Sequence, residues 1–131
     1  MGYEVGQALS PTRPVVLVVE DEPLQRLMAI DLIEDAGFEA VAVSCADEAV
    51  RVLEARLDIS VVFTDVDMPG GVDGMALAAT VRNRWPPIEL IIVSGRQVPK
   101  IDEIPARCLF FAKPYRRSEI THAMQCMVGW H

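Results

Sequence analysis

Short apolar runs recur along the chain and alternate with stretches of helical periodicity. The runs are VVLVV at 15–19, VVF at 61–63, LIIV at 90–93 and LFF at 109–111. Continuous apolar runs of this length are typical of strands buried on both faces of a sheet. They predict four strands, and a weaker apolar segment at 38–43 predicts a fifth.

The segments on either side of this weaker strand predict two helices. The first has an apolar stripe of Leu24, Leu27, Met28 and Leu32 and ends at Gly37. The second is predicted over 46–55, where Ser44 and Asp47 have the spacing of a helix cap.

Two more helices follow later in the chain. One is predicted over 74–84, because the Trp-Pro-Pro step at 85–87 stops a helix. The last has apolar residues at helical spacing, namely Ile120, Ala123, Met124 and Met127. The segment between Ser94 and Cys108 contains two prolines and little amphipathic order, so any helix there is expected to be short or irregular.

This alternation of strands and helices predicts one α/β domain. Right-handed crossovers between the strands give a parallel sheet with helices on both faces. We expect a flexible arm over 1–14, the domain over 15–128 and a short tail over 129–131. No apolar run approaches the roughly 18 residues that a membrane span needs, and the start lacks the pattern of a secretory signal, so a cytoplasmic protein is expected.

Charge and cysteine content exclude several function classes. The net charge is −7, and the 12 Lys and Arg residues form no run, so direct binding to nucleic acid is not expected. No membrane partner is expected either, because no apolar run is long enough to span a bilayer. The three cysteines are scattered and lack CxxC spacing, which argues against a disulfide framework or a zinc site. Buried or unreactive thiols are expected instead.

Reactive side chains follow four of the predicted strands. They are Glu20 with Asp21, then Asp65, Ser94 and Lys113. Each alone has a simple structural explanation, such as a helix cap, a turn or a solvated lysine. Because ligands of open parallel sheets bind at the carboxyl ends of the strands, we expect these side chains to form one site.

The chemistry of this set suits phosphoryl transfer to a carboxylate. Several carboxylates in one pocket repel one another unless a divalent cation neutralises them, and Mg²⁺ prefers such oxygen ligands. The same cation would shield Asp65 as an anionic phosphoryl group approaches. Lys113 and the Ser94 hydroxyl would then hold the outer phosphoryl oxygens.

From residue 15 to about 128 the chain resembles the receiver domains of two-component response regulators. The motifs that carry the resemblance are VLVVEDEP, FTDVDMP, a Ser-Gly pair after the fourth strand, and FFAKPY. The resemblance implies a flavodoxin-like sheet of order 2-1-3-4-5. It also implies a regulatory phosphoacceptor, not an enzyme in the ordinary sense, and we interpret the chain as a stand-alone receiver.

Position by position, the resemblance implies a metal site around the phosphoacceptor. Asp65 looks like the phosphoacceptor and a metal ligand, Asp21 like a direct ligand, and Glu20 like the holder of metal-bound water. Asp67 would bind the metal through its backbone carbonyl. The implied cofactor is Mg²⁺.

The resemblance also implies a switch. Ser94 looks like the family's switch hydroxyl and Lys113 like its phosphoryl-pairing lysine, followed by a cis bond to Pro114. Phe110 matches the aromatic that reorients with Ser94, although Phe111 beside it is equally aromatic and a core position suits either.

Two segments depart from the family pattern. The loop from Gly70 to Gly74 is one residue longer than usual and contains paired glycines beside the acceptor. The carboxylate of Asp67 follows Asp65 by two residues, where it would either repel a phosphodonor or orient water for hydrolysis. The sequence leaves both roles open.

The implied partners are a histidine kinase or a histidine phosphotransfer protein. An unidentified protein is the downstream target, and a second copy of the chain is a further option.

The sequence leaves two alternative functions open. The first is a receiver-like binding module that is never phosphorylated. The second is a phosphatase of the haloacid dehalogenase type, since Asp65-Val66-Asp67 also reads as a DxD motif, although Pro69 and the position after a third strand oppose it. A flavodoxin-like cofactor binder is disfavoured because the first strand is followed by carboxylates.

Overall fold

The computed structural model describes residues 13–67, 74–96 and 98–129. Five parallel strands form one sheet in the order β2-β1-β3-β4-β5. The strands are β1 (Val15–Val19), β2 (Glu39–Val43), β3 (Ile59–Asp65), β4 (Glu89–Ser94) and β5 (Cys108–Ala112). The predicted fold class and strand order are therefore confirmed.

The apolar runs of the sequence produce this order because the most hydrophobic strands lie in the middle of the sheet. β1 is buried along its whole length, and β3 and β4 are buried at nearly every position. β2 and β5 lie at the edges and are only partly buried. The prediction that the run at 109–111 is buried on both faces is wrong at Leu109, which is 44% exposed.

Alternate residues of each strand point to opposite faces of the sheet, so the core has two layers. Leu17, Val62 and Leu90 pack with one layer of helices, and Val16, Phe63 and Ile91 pack with the other. Buried side chains form the centre of both layers, and the carboxyl ends of the parallel inner strands lie at one rim.

The described residues contain four α-helices, of which three connect strands and the fourth follows β5. They are α1 (Pro23–Asp35), α2 (Ala46–Ala55), α3 (Gly74–Arg84) and α4 (Arg117–Met127). Gly37, with φ of 100°, follows α1 in the left-handed conformation that glycine adopts readily. The predicted bounds of α2 and α3 are confirmed, as is the burial of Ile120, Ala123 and Met124 on α4.

The apolar stripe predicted for α1 faces the core only at Leu32. Leu24, Leu27 and Met28 are more than half exposed, whereas Ala29, Leu32 and Ile33 are buried. Three large apolar side chains of α1 therefore lie on the protein surface near the rim where β1 ends.

The cap predicted before α2 also differs. Glu48, not Asp47, accepts hydrogen bonds from the backbone N–H and the hydroxyl of Ser44, both at 2.8 Å. These two bonds lower the pKa of Glu48. The reciprocal contact is displaced by one residue because Cys45, not Ser44, is the N-cap residue.

The proline-containing segment after β4 has only one 3₁₀ turn (Ile101–Glu103) among its described residues. The expectation of a short or irregular helix there is confirmed. Arg82 of α3 fixes the end of this segment, since its guanidinium donates to the carbonyl oxygens of Ala106 and Arg107 at 2.5 and 3.0 Å. Ile101 and Val98 remain almost fully exposed.

The ends of the predicted domain lie partly outside the described residues. Of the arm predicted over 1–14, only Arg13 and Pro14 are described, and of the tail only Gly129. Where the structure describes the chain, none of its helices has the length and apolar character that a membrane crossing requires.

The three cysteines are free thiols in different environments. Cys45 and Cys126 are exposed, so the burial that was one of the two expected alternatives is not found at those positions, and Cys108 is partly buried. Burial raises the pKa of the Cys108 thiol to about 11, because it disfavours the charged thiolate.

We therefore expect unequal thiol reactivity in the folded protein. Because the thiolate is the nucleophile, Ellman's reagent at mildly alkaline pH should label Cys45 and Cys126 quickly and Cys108 slowly. Time-resolved labelling of the native chain and of Cys108→Ser measures the difference. If the slow phase is absent in the native chain, or persists in Cys108→Ser, this assignment is wrong.

Candidate functional site

Asp65 is the last residue of the central strand β3, and its side chain is buried. One carboxylate oxygen, Oδ2, lies 2.5 Å from the Lys113 ammonium nitrogen. The other, Oδ1, accepts the backbone N–H of Asp67 at 2.7 Å. Each oxygen therefore has a specific partner, and the nucleophilic carboxylate has a fixed orientation.

Lys113 follows β5 and reaches across the rim to three oxygen atoms. Besides Asp65, its Nζ donates to the side-chain oxygen of Gln25 at 2.9 Å and lies 3.9 Å from Glu20 Oε1. Burial alone lowers the pKa of Lys113, but the hydrogen bond and negative charge of Asp65, together with Glu20, raise it overall. The lysine is therefore a firmly charged cation beside the acceptor. The bond to Pro114 is cis, as expected.

Glu20 is buried directly after β1, and its pKa is well above the usual value of a glutamate. Its pKa is raised to about 7, chiefly by burial and further by the negative charge of Asp65. A hydrogen bond from the Glu22 backbone and the charge of Lys113 only partly oppose it. Asp21, the next residue, is partly exposed at the same rim. The rim therefore carries more negative charge than Lys113 neutralises.

Asp67 is held differently from the other acids. Its carboxylate accepts the Ser94 hydroxyl at 2.8 Å, the Gly95 N–H at 2.7 Å and the Arg96 N–H at 3.2 Å. Partial burial opposes the effect, but these bonds lower the pKa of Asp67 overall. The side chain is therefore an anion bound by the end of β4, a contact that the sequence did not predict.

Ser94 and Phe110 lie where the sequence analysis placed them. Ser94 is buried at the end of β4, and its Oγ also accepts the Arg96 N–H at 3.2 Å. Phe110 is partly buried and packs against the core layer that contains Leu90 and Ile92, whereas Phe111 packs against the opposite layer. The two aromatics are thus separated by the sheet, and only Phe110 is on the Leu90 side. Its switching role stays a prediction.

The oxygen donors at the rim fit Mg²⁺ in their chemistry. The carboxylates of Glu20 and Asp65 lie within 4 Å of Lys113 Nζ, and Asp21 follows Glu20 directly in the chain. Burial is the main cause of the raised pKa of Glu20, and the negative charge of Asp65 adds to it. Over the described ranges, no three His, Cys, Asp or Glu side chains are grouped closely enough for a complete metal site. Mg²⁺ does not need such a cage, since it is commonly held by one or two carboxylates and water.

Two polar residues of α1 belong to the site but were missed from the sequence. Gln25 accepts from Lys113, and the Arg26 guanidinium donates to the carbonyl oxygen of Glu20 at 3.0 Å. In the sequence, the only indication of their role was their position in the first turns of α1, the helix that follows Glu20 and Asp21. The loop departure predicted at 70–74 falls mostly on residues 68–73, outside the described part of the chain.

Comparison with known proteins agrees with this geometry. The family model described as "Response regulator receiver domain" matches residues 16–125. A hydrogenase transcriptional regulatory protein, HoxA of Cupriavidus necator, is 40% identical over 87 residues, which are 66% of this chain and 17% of that protein. The sensor protein TorS of Escherichia coli is 30% identical over 94 residues, or 72% of this chain and 10% of its own length. The chain thus spans less than a fifth of these relatives.

Solved structures show the same fold. A response regulator receiver protein from Pseudomonas putida superposes with a TM-score of 0.76 at 26% identity, covering 89% of this chain and 99% of that one. A receiver protein from Sinorhizobium medicae gives a TM-score of 0.82 at 23% identity, covering 92% and 96%. The second likeness is evidence for the fold alone.

Proposed function

Because this chain belongs to the response regulator receiver family, we propose that Asp65 accepts a phosphoryl group and that the chain signals by changing its shape. The observation that carries the proposal is the pairing of the buried Asp65 carboxylate with Lys113 at the carboxyl end of the central strand. A structural aspartate at a turn does not need a partly buried cation beside it.

The proposed reaction is a displacement at phosphorus. One Asp65 carboxylate oxygen attacks the phosphorus atom of a phosphohistidine, an O–P bond forms and the P–N bond breaks. The imidazole nitrogen leaves with the electron pair of that bond, as neutral imidazole when the other ring nitrogen carries its proton. The product is an acyl phosphate on Asp65.

The residues of the rim would stabilise the charge that this displacement develops. Lys113 would move from the Asp65 carboxylate to a phosphoryl oxygen without leaving the pocket, since its Nζ is already held by Gln25. The Ser94 hydroxyl would bind another phosphoryl oxygen. Asp65, Asp21, the Asp67 carbonyl and, through water, Glu20 would hold Mg²⁺, which when bound would offset the repulsion between carboxylate and phosphoryl group.

The surface beside Asp65 suits a protein as phosphodonor. A cleft of about 650 Å³ beside the acceptor is lined by Met28, Leu32, Phe63, Lys113 and Tyr115 among others. The exposed Leu24 and Leu27 extend this apolar surface along α1. We propose a histidine kinase or a histidine phosphotransfer protein as the partner, in agreement with relatives that are named sensor proteins.

The alternatives have less support. In a phosphatase of the DxD type the second aspartate serves as an acid near the substrate, whereas the Asp67 carboxylate is bound to Ser94, Gly95 and Arg96. The chain would then act as a signalling switch, and beyond its own phosphorylation and dephosphorylation we propose no enzymatic activity. The cytoplasm as its location and the absence of direct nucleic-acid binding remain parts of the proposal.

Uptake of a phosphoryl group from acetyl phosphate tests the proposal. We expect the native chain, incubated with acetyl phosphate and Mg²⁺, to gain the mass of one phosphoryl group, which intact-mass spectrometry separates from lysine acetylation. The gain should depend on Mg²⁺ and be absent in Asp65→Asn. An unmodified native chain, with no hydrolysis of acetyl phosphate above background, would favour the phosphorylation-independent binding module.

A further inference from the structure

The end of β4 forms a small anion-binding cradle. It consists of the Ser94 hydroxyl and the backbone N–H groups of Gly95 and Arg96, and all three donate to the carboxylate of Asp67. Hydrogen bonds of this kind, from neutral donors to a charged acceptor, are roughly twice as strong as neutral ones. Successive backbone N–H groups beside a hydroxyl are also a common way to hold phosphate oxygens.

The cradle lies next to the acceptor. Asp67 is joined to Asp65 by its own backbone N–H, which donates to Asp65 Oδ1 at 2.7 Å. On the other side, a Cβ atom placed on Gly95 would lie 3.6 Å from Lys113 Cβ and 4.0 Å from Asp67 Oδ2. Lys113 and the cradle therefore flank the same carboxylate, Asp65, and a phosphoryl group on Asp65 would be within reach of both.

We propose that the Asp67 carboxylate competes with the phosphoryl group for the cradle. In the unphosphorylated chain the carboxylate occupies the cradle, and after transfer the phosphoryl oxygens take its place. This inference rests on the proposed function of Asp65. The two backbone N–H groups each supply a single hydrogen, so they cannot serve the carboxylate and a phosphoryl oxygen with full strength at once. The two anions would also repel each other.

Phosphorylation of Asp65 therefore requires the Asp67 side chain to leave. Its departure costs the hydrogen bonds to the cradle, so Asp67 slows phosphoryl uptake. Of the two roles that the sequence left open, the geometry favours hindrance of the phosphodonor. Because one anion replaces another, Ser94 would keep an anionic partner in both states of the chain.

Two substitutions of Asp67 test the competition by the rate of uptake from acetyl phosphate with Mg²⁺. Asp67→Asn keeps the shape but removes the charge, and Asp67→Ala empties the cradle, while both keep the backbone carbonyl. We expect uptake about tenfold faster in Asp67→Ala and a smaller gain in Asp67→Asn. Asp102→Asn, which removes one exposed acid of the 3₁₀ turn, is the control for net charge and should react like the native chain.

A second measurement needs no phosphorylation. Inorganic phosphate, without metal, is titrated into ¹⁵N-labelled chains while the amide signals of Gly95 and Arg96 are followed by NMR. We expect both signals to shift in unliganded Asp67→Ala relative to the native chain. Phosphate should then move them at lower concentration in Asp67→Ala than in the native chain.

The two measurements separate the competition from the proposed function. Faster uptake with the stated amide shifts supports the competitor. Uptake in both Asp67 variants at or below the native rate overturns it, as does a phosphate response equal in native and Asp67→Ala chains. If no chain accepts a phosphoryl group, the proposed function fails. The phosphate titration alone then decides whether the Asp67 carboxylate competes with anions for the cradle.

Discussion

Replacing Lys113 by methionine lowers the rate of phosphoryl uptake by about 100-fold or more, because it removes the cation that lies against the Asp65 carboxylate. Loss of one preorganised charge-stabilising group typically costs a factor of about 10² to 10³ in rate. Methionine keeps much of the length of the side chain, so the effect reports the charge. The measurement is the initial rate of mass gain from acetyl phosphate with Mg²⁺.

The chain offers a matched control in Lys100, the other of its two lysines. Lys100 is exposed at the start of the 3₁₀ turn. Lys100→Met changes the net charge equally and should leave the rate unchanged, and chemical denaturation would show that both variants are folded. Equal rates in Lys113→Met and the native chain would remove Lys113 from the mechanism.

Replacing Gly74 by alanine displaces the acceptor and destabilises the fold. A Cβ atom at this first residue of α3 would lie 2.5 Å from the carbonyl oxygen of Asp65 and 2.8 Å from the Cα of Val66. Such backbone contacts cannot be relieved by a side-chain rotation, so the helix or the end of β3 must move. We expect a loss of about 1–3 kcal/mol in the free energy of unfolding. Uptake should also be slower, on the order of 100-fold for a shift of about 1 Å.

Gly95→Ala is the control for this substitution. Its added Cβ atom would meet no atom closer than 3.6 Å, which is ordinary contact, and its backbone N–H is retained. Urea denaturation should separate the two variants clearly. Because Gly95 belongs to the anion-binding cradle, the uptake rate of Gly74→Ala is compared with that of the native chain instead. If Gly74→Ala is as stable as Gly95→Ala and as active as the native chain, then the close approach of α3 to the acceptor strand is unimportant.

The sheet could be predicted from the sequence because its signals are local. VVLVV at 15–19 and LIIV at 90–93 are buried on both faces in the structure, and no helical period competes with them. The bounds of α3 followed equally directly, since the prolines after Trp85 cannot continue a helix. Alternation of strands and helices then left few topologies open.

The side of α1 that packs against the sheet could not be predicted in the same way. Leu24, Leu27 and Met28 form a stripe by spacing alone, but only the angle at which the helix meets the sheet decides which side is buried. The smaller Ala29, with Leu32 and Ile33, faces the core and lets α1 lie close to the sheet. The exposed side chains of Leu24, Leu27 and Met28 therefore belong to the surface near the site and not to the core.

The candidate site shows the same limit. Strand ends identify Glu20, Asp65, Ser94 and Lys113, because parallel strands end at one rim. Which partner each side chain chooses is set by distances of a few ångströms between residues far apart in the chain. The bond of Asp67 to Gly95 spans 28 positions and that of Lys113 to Gln25 spans 88, so neither leaves a pattern in the sequence.

Chemical trapping of the phosphorylated residue tests the central claim most directly. The native chain is treated with acetyl phosphate and Mg²⁺, reduced with borohydride and digested, and the peptide containing Asp65 is sequenced by mass spectrometry. An acyl phosphate on Asp65 is reduced to the alcohol, so the account predicts homoserine at position 65 and an intact aspartate at position 67. Homoserine at another aspartate, with position 65 unchanged, would contradict it.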